Sequence, residues 1–395
     1  MTRKETTMKM HLTENIRYVG VNDTEIDLYE GQYLVPDGMS YNSYVILDDR
    51  IAVMDTVDAR FGEEWLDRLT QALCGRTPDY LIVQHMEPDH SANVMRFAAA
   101  YPKAVIVATD KAFRMMGQFF GCDFADRRLV VGEGGRLPLG RHTLTFVTAP
   151  MVHWPEVMVS YEESEKLLFS ADAFGRFGTP EAAVPWADEA RRYYIGIVGK
   201  YGVQVQALLK KAAALDIRTV CPLHGPTLAG DDLAEALRLY DLWSSYTPEA
   251  EGVVIAYASI YGHTAEAAVR LADRLREKGV TVALYDLARC DMAAAVADAF
   301  RYDRLVLASV TYNADLFPPM RCFLSALTER GFRRRRVAFI ENGTWAPQAA
   351  KFMRAALEKS PDLTYSDNTV KILSALSETS DAQITALADE LCRTE

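Results

Sequence analysis

Residues 84–90 read Gln84-His85-Met86-Glu87-Pro88-Asp89-His90 and follow directly on the apolar run Leu81-Ile82-Val83. Four potential metal ligands leave one strand end within six residues, and Pro88 keeps the segment out of regular ladder pairing. Alone, such a cluster is equally well a solvated turn. Outward from it the same pattern recurs three times. The strand-length run 143–148 ends in Ala149-Pro150 and then presents His153. The run 167–170 ends in Ala171-Asp172, and the run 220–223 ends in His224-Gly225. Of the seven histidines in the chain, four (His85, His90, His153 and His224) occupy these strand ends.

Composition bounds the function classes. A chain of 395 residues allows two or three domains, and 49% hydrophobic with 25% charged residues excludes wholesale disorder. No apolar run approaches the roughly 18 residues of a spanning helix. The start, Met1 to Met10, is basic and Thr-rich without an apolar h-region, so no secretory signal is expected. A net charge of −11 speaks against nucleic acid as a partner. The six cysteines form no CxxC pair, which argues against zinc knuckles and thioredoxin-type redox pairs and fits free thiols in a reducing cytoplasm.

Two grammars divide the chain. Up to about residue 230, strand-length runs (42–47, 51–55, 80–85, 104–109, 143–148, 157–161, 167–170) come in pairs or alternate with helical patterns at 63–73 and 203–214. This predicts two mixed sheets with outer helices, an α+β αββα sandwich. A helical stretch at 232–243 leads into Ser244-Ser245-Tyr246-Thr247-Pro248-Glu249, taken as the boundary between domains 1–248 and 249–395. Beyond it, strands at 253–258, 281–285, 305–309, 337–341 and 370–373 alternate with helices, the rhythm of a doubly wound parallel α/β sheet. Gly132-Glu133-Gly134-Gly135 leads towards a strand and reads as a hairpin turn; His142 and His11 read as surface residues.

The strand-end ligands resemble the metallo-β-lactamase fold, whose zinc hydrolases carry H-x-H-x-D-H, then His, Asp and His. Here Glu87 replaces the second histidine, and an added carboxylate makes a harder, more anionic site suited to iron. By that resemblance His85, Glu87 and His153 hold one metal, Asp89, His90 and His224 the other, and Asp172 bridges them. Three carboxylates nearly neutralise two ferrous ions and stabilise the higher charge of ferric iron.

In the second half, the first strand runs into Ser259-Ile260-Tyr261-Gly262-His263-Thr264 and a helix, a neutral, hydroxyl-rich cradle for a phosphate dianion. No Lys follows the glycine, which excludes a nucleoside-triphosphate loop. Two later strand ends, Thr311-Tyr312-Asn313-Ala314 and Asn342-Gly343-Thr344-Trp345, supply amides, hydroxyls and flat aromatics. This resembles flavodoxin, which binds FMN with one phosphate loop and two ring-flanking loops; Tyr312 and Trp345 are the stacking candidates.

Both halves in this order resemble the flavodiiron proteins. The resemblance implies a flavodoxin-like domain behind a metallo-β-lactamase-like one, FMN, two non-haem irons, and reduction of dioxygen to water, nitric oxide to nitrous oxide, or both. It implies a head-to-tail homodimer and a rubredoxin-like donor in trans, because no CxxC pairs for a fused rubredoxin segment occur. The counterpart of His90 is not a direct iron ligand in every family member. Electron counting agrees: a diferrous pair and a reduced flavin together give the four electrons that dioxygen needs. Tyr193, Tyr194 and Tyr201 suit pocket lining or helix packing equally, and Arg333-Arg334-Arg335-Arg336 suits either an acidic carrier or a solvated turn. Rival readings are a hydrolase with a redox-sensing flavodoxin domain and a flavin sensor with a structural metal site. Glu87 opposes the first, and room for two metals opposes the second.

Overall fold

Short runs buried on both faces form strands only where both faces are covered, and the computed structural model of the chain supplies that cover. It describes residues 12–393, so His11 and the basic start lie outside the described residues. Two compact units emerge: residues 1–193 with 203–240, and residues 194–202 with 241–395.

In the first unit, one six-stranded sheet has the order Ile16–Tyr18, Tyr44–Ile46, Ala52–Met54, Tyr80–Ile82, Val105–Ala108, Arg128–Val130. The second has the order Arg136–Pro138, Thr143–Thr148, Met158–Glu162, Leu167–Phe169, Thr219–Cys221, Leu228–Ala229. Ile46, Met54, Ile82 and Val107 of one sheet share a buried core with Phe146, Met158, Phe169 and Cys221 of the other. The opposite face of the first sheet also carries fully buried residues such as Val53 and Leu81, and helices Gly62–Leu73 and Asp110–Phe120 contribute buried Trp65, Leu69, Phe113 and Met116. The expected sandwich is therefore present.

The strand ends matter for the site. Leu167–Phe169 and Thr219–Cys221 run parallel and adjacent, so the segments after them emerge at the same edge. Met158 N–H donates to the carbonyl of Gln84 at 3.1 Å, joining the second sheet to the end of the first just before His85.

Three expectations need correction. Gly132-Glu133-Gly134-Gly135 makes a turn, but the strands on either side belong to different sheets, so it carries the chain across the sandwich and is no hairpin. His142 is fully buried, because Glu162, one strand over, gives its Nδ1 a partner at 2.9 Å. The arginine run is a solvated turn only in part: Arg334 is exposed, while its neighbours are held by the protein itself and form no free docking patch. Arg335 is 2% exposed and donates to the carbonyls of Tyr246 and Phe300; Arg333 lies 4.2 Å over the Tyr246 ring, and Arg336 pairs with Glu390 at 2.8 Å.

The second unit is a parallel sheet in the order Val282–Asp286, Ala250–Ala258, Tyr302–Tyr312, Arg336–Asn342, Thr364–Ile372. The order reverses between Ala250–Ala258 and its neighbours, which is where open α/β sheets bind ligands. Among the described residues no helix is long and apolar enough to cross a membrane. All six cysteines are free thiols.

Candidate metal and flavin sites

The segment after Tyr80–Ile82 is fixed before any ligand is considered. Asp55 accepts the backbone N–H of Gln84 at 2.7 Å and its side-chain amide at 2.9 Å, and burial raises the Asp55 pKa to about 6. Pro88 then opens a one-turn helix, Pro88–Ser91, as proline at a helix start does. Thr56 donates its hydroxyl to the His90 carbonyl at 2.6 Å, anchoring that turn.

Seven side chains converge in two groups: His85, Glu87, His153 and Asp172, then Asp89, His90 and His224, with the ligand-capable atoms of each group within 4.8 Å of one another. Glu87 Oε2 lies 3.2 Å from His85 Nε2 and 3.1 Å from His153 Nε2. Asp172 Oδ2 lies 3.3 and 3.1 Å from the same two nitrogens. Its other oxygen, Oδ1, turns to the second group, 3.5 Å from His90 Nε2 and 3.7 Å from His224 Nε2. Asp172 therefore stands between the groups with one oxygen for each. The turn that presents it is tight: a Cβ at Gly175 would lie 2.9 Å from the Asp172 carbonyl and 3.4 Å from His224 Cβ.

The electrostatics are those of a cation site. Burial opposes charge on His85, but Asp172 and the bonds to Glu156 and Glu87 raise its pKa well above the ordinary imidazole value. His90 shifts up likewise, and His153 rises to about 9 against burial through Asp172 and Glu87. Against the same desolvation, His90 holds Asp89 well below the carboxylate range, and His85 lowers Asp172. Asp172 Oδ1 and Asp89 Oδ1 are buried without a hydrogen-bond partner, a costly state that a metal ion relieves. His90 Nε2 and His224 Nε2 face each other at 3.0 Å, while His224 Nδ1 donates to the Ser40 carbonyl at 2.7 Å and so leaves Nε2 a lone pair. The residues fit a pair of cations.

Several residues around the ligands escaped the sequence reading. Glu156 accepts from His85 Nδ1 and from the Met86 N–H, both at 2.9 Å. Tyr29 donates its hydroxyl to Asp89 Oδ2 at 2.9 Å. Trp154 stands edge-on to His85, ring centres 5.2 Å apart. The only available signal for Glu156 was its place three residues after His153. Of the three tyrosines weighed, Tyr193 lies at this site, its ring 5.5 Å from His224 and its buried hydroxyl without a partner. Tyr194 and Tyr201 belong to the other unit.

In the second unit a cavity of about 750 Å³ is lined by Ser259, Ile260, Tyr261, His263, Thr264, Thr311, Tyr312, Asn313, Ala314, Asn342, Gly343, Thr344 and Trp345. Val310, Ala346, Gln348 and Ser374 also line it and were not anticipated. Gly262 precedes helix His263–Glu277 at φ +96° and donates its N–H to Ser259 Oγ at 3.1 Å, a left-handed conformation that favours glycine. Asn313 and Ala314 both have positive φ and join strand Tyr302–Tyr312 to Asp315–Leu316 as a two-residue hairpin. Asn342 donates to the Ser374 carbonyl at 3.0 Å and accepts the Ser374 N–H at 3.2 Å, tying two loops together. Trp345 is 91% exposed, a flat ring with nothing packed on its outer face. Volume, a helix N-terminus and exposed aromatics fit a flavin mononucleotide.

Comparison with known proteins finds one family for each of the two sites. Residues 39–225 match the ODP family beta lactamase model and residues 254–374 a flavodoxin domain. The nitric oxide reductase of Moorella thermoacetica is 30% identical over 360 residues, 88% of this chain and 89% of that protein. The rubredoxin oxygen:oxidoreductase of Desulfovibrio gigas superposes with a TM-score of 0.89 at 25% identity over 96% of each chain. The flavodiiron protein of Giardia intestinalis, at 24% identity, shares the fold with a TM-score of 0.90 over 97% of this chain and 96% of that one. The chain belongs to the flavodiiron protein family.

Proposed function

We propose that this protein is an oxidoreductase that reduces dioxygen to water, nitric oxide to nitrous oxide, or both, at a non-haem diiron centre, with FMN relaying electrons from a separate rubredoxin-like carrier. The observation that carries this reading is Asp172, which offers one oxygen to each of two groups of mixed imidazole and carboxylate ligands. His85, Glu87 and His153 would hold one iron, Asp89, His90 and His224 the other, with Asp172 between them. When bound, the irons supply Lewis acidity and electrons for the gas, and FMN supplies the further electrons.

The chain's own groups do the positioning. Ser40 keeps the proton of His224 on Nδ1, so Nε2 stays a donor to metal. Burial and the surrounding carboxylates hold Tyr193 as a neutral phenol, a hydrogen-bond donor for a substrate atom. Trp154 walls off His85 and His153. In the flavin cavity the hydroxyls of Ser259 and Thr264 and the helix N-terminus would take the phosphate, with Tyr312 and Trp345 flanking the ring.

Residues 1–248 would carry the iron pair and 249–395 the flavin, and the protein would work in the cytoplasm. It would work as a head-to-tail homodimer, for which support comes from the exposed cavity rim, Tyr261 at 90% and Trp345 at 91%. Metal and flavin analysis of the purified protein, followed by anaerobic turnover of each gas with reduced rubredoxin, tests the function. Two irons and one FMN per chain with consumption of either gas are expected. Zinc with hydrolytic activity and no gas consumption would overturn it in favour of the hydrolase.

A further inference from the structure

We infer that the two metal positions are electrically unequal, and that the one held by His85, Glu87 and His153 keeps the ferric charge when the pair is half reduced. This rests on the diiron reading above. Two observations at opposite ends of the site carry it.

The first is Glu156. Its Oε1 accepts the Nδ1 proton of His85 at 2.9 Å, and the residue is 2% exposed. The Glu156 carbonyl is held by the Thr109 hydroxyl at 3.0 Å, and Oε1 by the Met86 N–H at 2.9 Å, so the carboxylate is fixed in place. Its other oxygen, Oε2, is buried without a partner. A carboxylate behind an imidazole makes the imidazole a more basic ligand and adds negative charge close to the metal. In the second group the corresponding partner of His224 is the neutral Ser40 carbonyl, and His90 Nδ1 has no partner.

The second is Tyr29. Its hydroxyl donates to Asp89 Oδ2, the oxygen that lies 3.2 and 3.3 Å from the ligand nitrogens of His90 and His224. A hydrogen bond to that oxygen withdraws density that would otherwise go to metal. Glu87, its counterpart in the first group, has no hydroxyl partner among the described residues; the imidazoles of His85 and His153 lie against it instead. One position is thus enriched and the other depleted, and Asp172, with one oxygen facing each, does not cancel the difference. Higher iron charge is favoured where negative charge is denser.

The quantity to measure is the comproportionation constant, in which one diferric and one diferrous centre exchange one electron to give two half-reduced centres. Potentiometry followed by EPR at liquid-helium temperature reads it, since only the half-reduced pair has an odd electron count. Glu156→Gln removes charge beside the first position, raises the lower couple and should shrink the constant at least tenfold, equal to 59 mV for one electron. Glu156→Asp should restore it in part. Tyr29→Phe should shrink it from the other side by lowering the upper couple. An unchanged or enlarged constant in iron-replete Glu156→Gln overturns the inference. If that variant fails to load iron, Tyr29→Phe decides alone, and an unchanged or larger constant there overturns it. A wild-type protein with no iron pair would instead defeat the diiron reading itself.

Discussion

Ser40 and His224 stand 184 residues apart, yet the Ser40 carbonyl accepts the Nδ1 proton of His224 at 2.7 Å and its hydroxyl accepts the Gly225 N–H at 2.7 Å. A three-residue strand, Met39–Tyr41, thereby sets the tautomer of a ligand at the far end of the unit. Ser40→Ala keeps the carbonyl bond but strands a buried N–H, at a cost of about 1–3 kcal/mol. Iron affinity should fall about tenfold as Gly225 shifts. Thermal melting and metal competition measure the two effects; unchanged affinity would show that the strand is only packing.

Asp172→Ala and the double variant Ser259→Ala with Thr264→Ala should fail in complementary ways. The first removes the group that both ligand sets share, so iron content and gas reduction should fall while FMN stays bound. The second removes two hydroxyls from the phosphate cradle and should weaken FMN by about 10- to 100-fold, at roughly 1.5–3 kcal/mol for a bond to a charged group, with iron intact. Iron and flavin assays on each variant decide. Full iron and activity in Asp172→Ala would refute the site, and undiminished flavin in the double variant would refute the cradle.

The buried pair His142 and Glu162 predicts a pH dependence of stability remote from the metal ligands. Burial opposes charge on both, but their mutual bond raises the histidine pKa and lowers that of the glutamate. The glutamate's contribution is present above its unfolded value of about 4.3 and lost as pH falls through its lower folded value. The histidine's is full below about 6.5 and lost as pH rises through its higher folded value. Glu162→Gln should therefore cost most between about pH 5 and 6.5, roughly 2 kcal/mol, and less at higher pH. Denaturant melts across that range check it; a pH-independent cost would mean that the pair is uncharged.

If each working centre takes its flavin from the partner chain, an iron-deficient His85 variant and a flavin-loop variant should rescue each other. Mixed at equal amounts after dissociation, about half of the dimers are hybrids with one intact site of two. Activity should approach about a quarter of wild type. Verified hybrids that stay inactive would place electron transfer within one chain.

The ligand positions were legible because each follows an apolar strand within a few residues, a local signal. Glu156, Tyr29 and Asp55 were not, because their meaning lies in partners 71, 60 and 29 residues away. His142 was misjudged for the same reason, since nothing near it in sequence announces Glu162. The strands of two or three residues before Tyr44, such as Leu28–Tyr29 and Tyr33–Leu34, are too short to show a period. In the second unit the place of each of the five strands was legible from its apolar centre, but Tyr302–Tyr312 and Thr364–Ile372 run well beyond the expected 305–309 and 370–373, because polar ends such as Thr364-Tyr365-Ser366-Asp367-Asn368 carry no apolar signal. The arginine run was misread because charge patterning does not reveal buried carbonyls such as those of Tyr246 and Phe300.

The seven convergent side chains are not drawn from one sheet. His85, Glu87, Asp89 and His90 follow a strand of the first, whereas His153, Asp172 and His224 follow strands of the second. An ion seated among them is a stitch through the sandwich, and melting should rise with its concentration by mass action. The stitch also imposes an order on biosynthesis. A nascent chain that has not yet emerged to His224 lacks the last donor of the second position, so the pair cannot be completed until the unit's sheets are nearly complete.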